Sequence, residues 1–462
     1  MRYAKRTLIG LLASLWLTGL LLAGCGEETP RLAPPGESGT LNVVTRNAAT
    51  TWYLDREESP AGPEHDLVSH FAEYRGWQVE WAVLDTVADV LQALEEGEAH
   101  MAAAGLTHLP SRDARFLPGP SHTAIVEQLV CHREARPLPR SVEQMADVEI
   151  RVTADSSYAE RLASLANDHS GITFEEDPRT TEMLLAAVAK QEVGCTLADS
   201  NIVKVVRRHF PVLEVAMNLS SGDRLGWYLA ADQVALAGKA HEWRDTAAAD
   251  AAIKAMENRY YGYIGEFDFV DLRALNRRID ERLPAFLDAF LKAEHTTGMP
   301  ADLLAALAYQ ESHWDPKAVS PTGVRGIMML TRNTAESLGV SNRLDPIQSI
   351  DAGARYLADR HQRLPEEIPE PDRTYLALAS YNIGRGHLLD ARELARELGK
   401  NPDSWDDMQE VLPLKADKRY YPGTRYGYAR GYEPVHFVQR IRNYRDVISV
   451  ALQAGETPLP AP

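Results

Sequence analysis

"GMPADLLAALAYQESHWDP", Gly298 to Pro316, reads as one helix with a signal at each end. Pro300 stands at the opening, where a helix tolerates proline, and Pro316 prevents the helix from continuing. Leu304, Leu307, Ala308 and Glu311 recur at i, i+3, i+4 and i+7, so they share one stripe. The stripe predicts a core-facing surface, and an ionisable carboxyl falls on it. Burial disfavours the carboxylate and raises its pKa, which is what a general acid working near neutrality requires. A helix-end glutamate that swings out to solvent fits the same spacing, so the period alone leaves both readings open.

A chain of 462 residues exceeds one ordinary core, and two or three domains are expected. The net charge of −17 argues against a general nucleic-acid binder, which carries a basic patch or stripe. The N-terminus opens with basic "MRYAKR" and continues with an uncharged run, "TLIGLLASLWLTGLLLAG", that ends at Cys25. Its length alone would suit a membrane anchor. "LAGC", Leu22 to Cys25, resembles a bacterial lipobox. The resemblance implies that residues 1–24 are a signal peptide and that Cys25 carries the acyl chains of a lipid anchor. Gly26, where inner-membrane lipoproteins of that class carry Asp, implies the periplasmic face of the outer membrane. A signal peptide that merely contains a cysteine is the alternative. Residues 25–39, rich in Pro, Gly and Glu, read as an extended tether. Cys131 and Cys195 sit in strand-like segments, where a disulfide and two buried thiols are both compatible with the sequence.

Over residues 40–266 strands and helices alternate: "TLNVVT", "EHDLVSHFAEY", "WQVEWAV", "VADVLQALEEG", "HMAAAGLT", and again from "EIRVTA" to "IVKVVRRHF". Alternation predicts parallel sheets flanked by helices. Leu91 to Thr107 and Leu185 to Ser200 echo one another, each an apolar helix, a polar turn and a small-residue strand. Two α/β lobes with a cleft between them are expected. From residue 267 to 462 helix-period segments dominate, which predicts a second, mainly α domain.

The order of elements in the first domain resembles periplasmic solute-binding proteins that capture polar amino acids. The resemblance implies that Arg112, in "GLTHLPSRDARF", clamps a ligand carboxylate and that Asp199, in "LADS", holds a ligand amine. The segment from Thr107 to Arg112 is longer than that pattern has, and ordinary surface ion pairs are the competing reading. An amino acid or a muropeptide is the ligand class implied. In the second domain Glu311-Ser312, Ser320-Pro321-Thr322-Gly323, Gly326 to Met329 and Ser380-Tyr381-Asn382 follow in order. These four elements resemble the soluble-type lytic transglycosylase domain, a lysozyme-like α fold related to goose-type lysozyme. Behind a lipobox and a solute-binding-like domain, they resemble the membrane-bound lytic murein transglycosylases.

That resemblance implies a lyase acting on the glycan strands of peptidoglycan. Glu311 would be the catalytic acid and then base, Tyr381 its hydrogen-bond partner and Ser320 the holder of an N-acetyl group. Ser312, Met328, Met329 and Asn382 would complete the substrate contacts. A core tyrosine satisfied by a backbone carbonyl, and methionines as core filler, are the plain readings of those residues. Most glycosidases use two carboxylates. Asp315 is four residues on, but it precedes Pro316 and is expected in the turn that ends the helix. Tyr420, Tyr421, Tyr426, Tyr428 and Tyr432 form an aromatic tract that suits sugar stacking and loop packing equally. "HEWRD" and "GRGHLL" fall short of metalloprotease and nucleotide motifs, so neither a metal nor an organic cofactor is expected. A lysozyme-like hydrolase, and a solute receptor whose second domain only binds glycan, are the alternatives.

Overall fold

The computed structural model describes residues 32–55, 59–135, 138–262, 269–320 and 323–456. The signal peptide, Cys25 and the 266/267 boundary lie outside the described residues, as do Pro321 and Thr322. Of the tether, residues 32–39 are not extended: Pro35–Ser38 forms a helical turn, and the Ala33 carbonyl lies 3.1 Å from His100 Nε2.

The first lobe begins with β1 (Thr40–Arg46), β2 (Tyr53–Leu54), β3 (Pro60–Ala61), β4 (Gln78–Leu84), β5 (Met101–Thr107) and β6 (Leu117–Ile125). The chain crosses to the second lobe as β7 (Glu127–His132), β8 (Arg151–Thr153), β9 (Glu175–Asp177), β10 (Cys195–Asp199) and β11 (Leu213–Asn218). It returns as β12 (Asp223–Leu229). The first sheet has the order β4-β1-β5-β12-β6 and the second β10-β7-β11, with β8 and β9 paired beside it through the Ile150–Cys195 bridge. Only part of this is parallel. β1 runs parallel to β4 and β5, whereas β12 is antiparallel to β5 and β6, and β7 is antiparallel to β10 and β11. The expectation of parallel sheets is corrected accordingly. β6 leaves the first lobe and β12 comes back beside it, and a chain that goes out and returns along one edge must pair antiparallel.

The two echoing passages do occupy equivalent places. Val87–Glu95 leads into β5, Thr181–Ala189 leads into β10, and both strands end at the cleft. Trp227 and Trp243 stack at 5.3 Å in the first lobe's core. Cys131 and Cys195 face each other in register on β7 and β10 and are joined by a disulfide.

Residues 272–448 pack around one continuous apolar cluster. Its centre is the Ala301–Ser312 helix, buried on every side from Ala301 to Tyr309. The single stripe expected from sequence is therefore too narrow: alanines at 301, 305, 306 and 308 let neighbouring helices close in all round. The C-terminal helix, Tyr432–Glu456, packs along it. This body meets the first through Arg208, which is ion-paired with Asp446, and through Arg442, whose Nη2 donates to the Arg259 carbonyl at 2.6 Å.

Candidate active site

The helix carrying Glu311 ends abruptly. His313 and Trp314 both adopt left-handed backbone, with φ of 54° and 57°. Side chains rarely tolerate that conformation, and here packing enforces it. Trp314 is buried and its Nε1 donates to the Ala305 carbonyl at 2.9 Å, folding the chain back on its own helix. Arg282 Nη1 donates to the His313 carbonyl at 2.9 Å, and Arg278 Nη1 to the Tyr309 hydroxyl at 2.8 Å. Asp315 is exposed, and its Oδ1 accepts from the Lys317 amide at 2.9 Å. It is spent on the turn, as its place before proline predicted.

At the last residue of the helix, Ser312 Oγ lies 2.8 Å from the Ile327 carbonyl and 3.2 Å from that of Ala308. It ties the helix to the Gly326–Met329 turn. Gly326 has φ 84°, and a Cβ there would fall 1.8 Å from the Arg343 carbonyl oxygen. Only glycine fits. Met329 also has positive φ, 45°, and is half-buried. Met328 is fully buried, and a Cβ on Gly353 would touch its Cε at 2.5 Å. Its side chain cannot contact substrate, so that expectation is corrected in favour of core filling. Ser320 Oγ accepts from the Val324 amide at 3.2 Å, within a turn whose Ser320 amide donates back to the Val324 carbonyl at 3.0 Å.

Glu311 is half-buried, and among the described residues nothing hydrogen-bonds its carboxyl. Burial pushes its pKa up to about 8. The last-turn carbonyls of its own helix act in the same direction, since the negative end of the macrodipole opposes a carboxylate. The group is thus protonated near neutrality. Tyr381 is close enough to feel its charge, yet the tyrosine hydroxyl donates to the Met328 carbonyl at 3.2 Å. The expected Tyr381–Glu311 hydrogen bond is absent from this geometry, because the phenol donates to the backbone instead. Its ring stacks on Phe437 at 6.4 Å and meets Tyr356 edge-on at 5.1 Å. Asn382, the next residue, is exposed. Phe437 and Tyr356 were missed from sequence, since neither stands near a motif.

The other candidate residues meet in the cleft between the lobes. Arg112 and Asp199 line one cavity with Arg46, Thr107, Tyr158 and Thr181, and it leaves about 40 Å³ for water-sized molecules. Arg112 is buried and its Nη1 donates to the Thr107 carbonyl at 3.0 Å. Burial, reinforced by the Glu127 charge, pushes the Asp199 carboxyl up to about 8. Asp199 Oδ1 and Arg46 Nε are buried with no hydrogen-bond partner among the described residues. Groups of that kind are costly unless something else satisfies them. Ser111 of the first lobe reaches Glu160 of the second at 2.9 Å.

Two family models match the chain: bacterial extracellular solute-binding proteins, family 3, over residues 41–263, and the transglycosylase SLT domain over residues 288–404. A protein of Alkalilimnicola ehrlichii named membrane-bound lytic murein transglycosylase F 2 is 62% identical over 97% of this chain and 100% of its own length. The chain belongs to the membrane-bound lytic murein transglycosylase F family. A second Alkalilimnicola ehrlichii member, transglycosylase F 1, is 42% identical over 92% of this chain and 86% of its own. The transglycosylase F of Maricaulis maris is 41% identical over 94% and 97%. As a member of that family, the chain is an enzyme of the lyase type that breaks peptidoglycan glycosidic bonds without hydrolysis, and its location is periplasmic and outer-membrane-associated.

Proposed function

We propose that Glu311 performs both proton transfers of this lytic cleavage. The observation that carries the proposal is a carboxyl kept protonated near neutrality by burial, with no hydrogen bond among the described residues to hold its proton elsewhere. The protonated group gives its proton to the oxygen that leaves with N-acetylglucosamine. The acetamido carbonyl of the N-acetylmuramic acid attacks C1 as that bond breaks, an intramolecular step of high effective concentration. The carboxylate left on Glu311 then takes the proton of the C6 hydroxyl. O6 closes onto C1, the acetamido oxygen departs, and a 1,6-anhydro ring results without water. Ser320, Met329 and Asn382 are the substrate contacts in this reading. Ser312 and Tyr381 act from beneath, by fixing the Gly326–Met329 turn. Digestion of murein sacculi by the purified protein tests this: 1,6-anhydromuropeptides are expected, and Glu311→Gln releases none.

The first domain, residues 40–266, reads as a ligand sensor that regulates a catalytic domain formed by residues 267–462. The unpartnered Asp199 Oδ1 and Arg46 Nε, beside Arg112, suit a small amphoteric ligand such as an amino acid or a muropeptide end. A space of about 40 Å³ holds little more than one water, so the lobes must part to admit it. A chain of contacts toward the other domain supports the reading. Asp199 precedes the Ser200–Val206 helix, Arg208 beyond it pairs with Asp446, and the neighbouring Arg445 binds Asp302 at 3.0 Å in the first turn of the Glu311 helix. Calorimetric titration with muropeptides tests the cleft; binding lost in Arg112→Ala supports it, and equal binding by both proteins contradicts it. Anchoring through an acylated Cys25 completes the reading, and mass measurement of membrane-extracted protein tests that.

A further inference from the structure

We propose that the tyrosine-rich segment 420–432 is a second carbohydrate contact, a fixed platform that carries the peptide-bearing glycan strand away from Glu311. It rests on the assignment of the Glu311 face to the glycan. The segment lies beyond residue 404, where the match to the transglycosylase model ends.

Tyr420 and Tyr421 are half-buried in the loop, and Tyr428 meets Tyr421 edge-on at 5.6 Å, yet Tyr426, Tyr428 and Tyr432 remain 50%, 56% and 46% exposed. The segment is locked from inside while those rings point out. Lys415, wholly buried, pairs with Asp390 at 2.7 Å and also reaches Thr424 Oγ1. Asp390 Oδ2 accepts from the Tyr426 amide at 2.8 Å. The Ala429 amide donates to the Lys415 carbonyl at 3.0 Å, and a Cβ on Gly431 would fall 1.7 Å from the Leu412 carbonyl oxygen. A buried ion pair is a costly way to hold a loop, and this one fixes the backbone from which the Tyr426 ring projects.

Tyr426 shows what shape is kept. Its ring lies on Gly386, where a Cβ would meet three ring carbons at 2.9 to 3.0 Å. Backbone thus supports the ring and His387 meets it edge-on at 6.0 Å, and the exposed half of the ring is what is left to receive the C–H face of a pyranose ring. Gly386 is five residues beyond Tyr381, so the platform's base lies within about 18 Å of the residue beside Glu311. A strand of a few sugars covers that span. Arg425, exposed, holds its guanidinium over the Tyr426 ring at 5.5 Å, and neither it nor the exposed Arg385, next to Gly386 in the chain, forms an ion pair among the described residues. Guanidinium groups so placed suit the carboxylates of an acidic stem peptide.

The test uses the full chain as Glu311→Gln, which binds without cutting, sedimented with purified sacculi. Adding Tyr426→Ala is expected to weaken binding about tenfold, the loss of one good contact. Tyr426→Phe should restore it. Gly386→Ala keeps the ring but forces it to tilt, and is also expected to weaken binding. Arg425→Gln should weaken binding at low salt and matter less at high salt. Binding within about twofold of the parent for Tyr426→Ala and Gly386→Ala overturns the proposal. Should Tyr426→Ala fail to fold, Arg425→Gln at its exposed site decides by the same measure. Anhydromuropeptides released by Glu311→Gln itself would instead overturn the Glu311 assignment.

Discussion

Tyr381 stands beside Glu311 and feels its charge, but gives its hydroxyl proton to the Met328 carbonyl, 3.2 Å away. The catalytic carboxyl and its aromatic neighbour are therefore coupled through the Gly326–Met329 turn rather than by a direct bond. Tyr381→Phe is expected to lower kcat by roughly tenfold through a loosened turn, a loss of ~1.4 kcal/mol. The pH at which activity falls should hardly move. A large displacement of that limb would mean that the phenol does bond Glu311 during turnover.

With Glu311 at about 8, the acid form is lost as pH rises through that value, and kcat/KM should fall on the alkaline side there. Stability responds with a definite sign. The unfolded glutamate titrates near 4.5 and the folded one near 8, so the native state binds more protons between them. Stability then declines as pH rises across that window and levels off above it. Glutamine carries no such penalty. Melting curves of Glu311→Gln should lie above the parent's by a margin that widens from about pH 4.5 to about pH 8 and is small below it.

Gly326→Ala is expected to cost at least about 3 kcal/mol, from positive-φ strain plus a Cβ set 1.8 Å from the Arg343 carbonyl oxygen. Urea denaturation monitored at the catalytic domain reads it directly. A loss below about 1 kcal/mol would mean that the turn shifts freely and does not hold Met329 in place.

The Cys131–Cys195 bond closes a loop with a sequence separation of 64, which in the chain-entropy model stabilises by about 4 kcal/mol. Cys131→Ala/Cys195→Ala should lower the second lobe's melting transition and leave the Glu311 body's transition nearly in place. Equal losses in both would show that the two bodies unfold as one.

Much of this was legible in the chain. Glu311 announced itself by sitting on an apolar period, and Asp315 by preceding a proline. The two echoing helix–turn–strand passages pointed to two lobes with a cleft, and the resemblance to solute-binding proteins pointed to Arg112 and Asp199, which line one cavity there. Periodicity could not reveal that the Glu311 helix is buried all round, because alanine satisfies a polar or an apolar face equally. Nor could it show strand direction, which depends on the out-and-back crossing of β6 and β12. Met328 and Met329 look alike in sequence. Only the backbone separates them, with one side chain turned under Gly353 and the other held at φ 45° toward the surface. The Lys415–Asp390 pair, 25 residues apart, left no local signal at all.

A single acid kept un-ionised by its surroundings, with the sugar supplying the attacking groups, is tested most directly by mass spectrometry of sacculi digested in ¹⁸O-labelled water. Products ending in 1,6-anhydromuramic acid with no label, abolished in Glu311→Gln, are the expected result. Reducing ends carrying ¹⁸O, or anhydro ends still formed by Glu311→Gln, would contradict it.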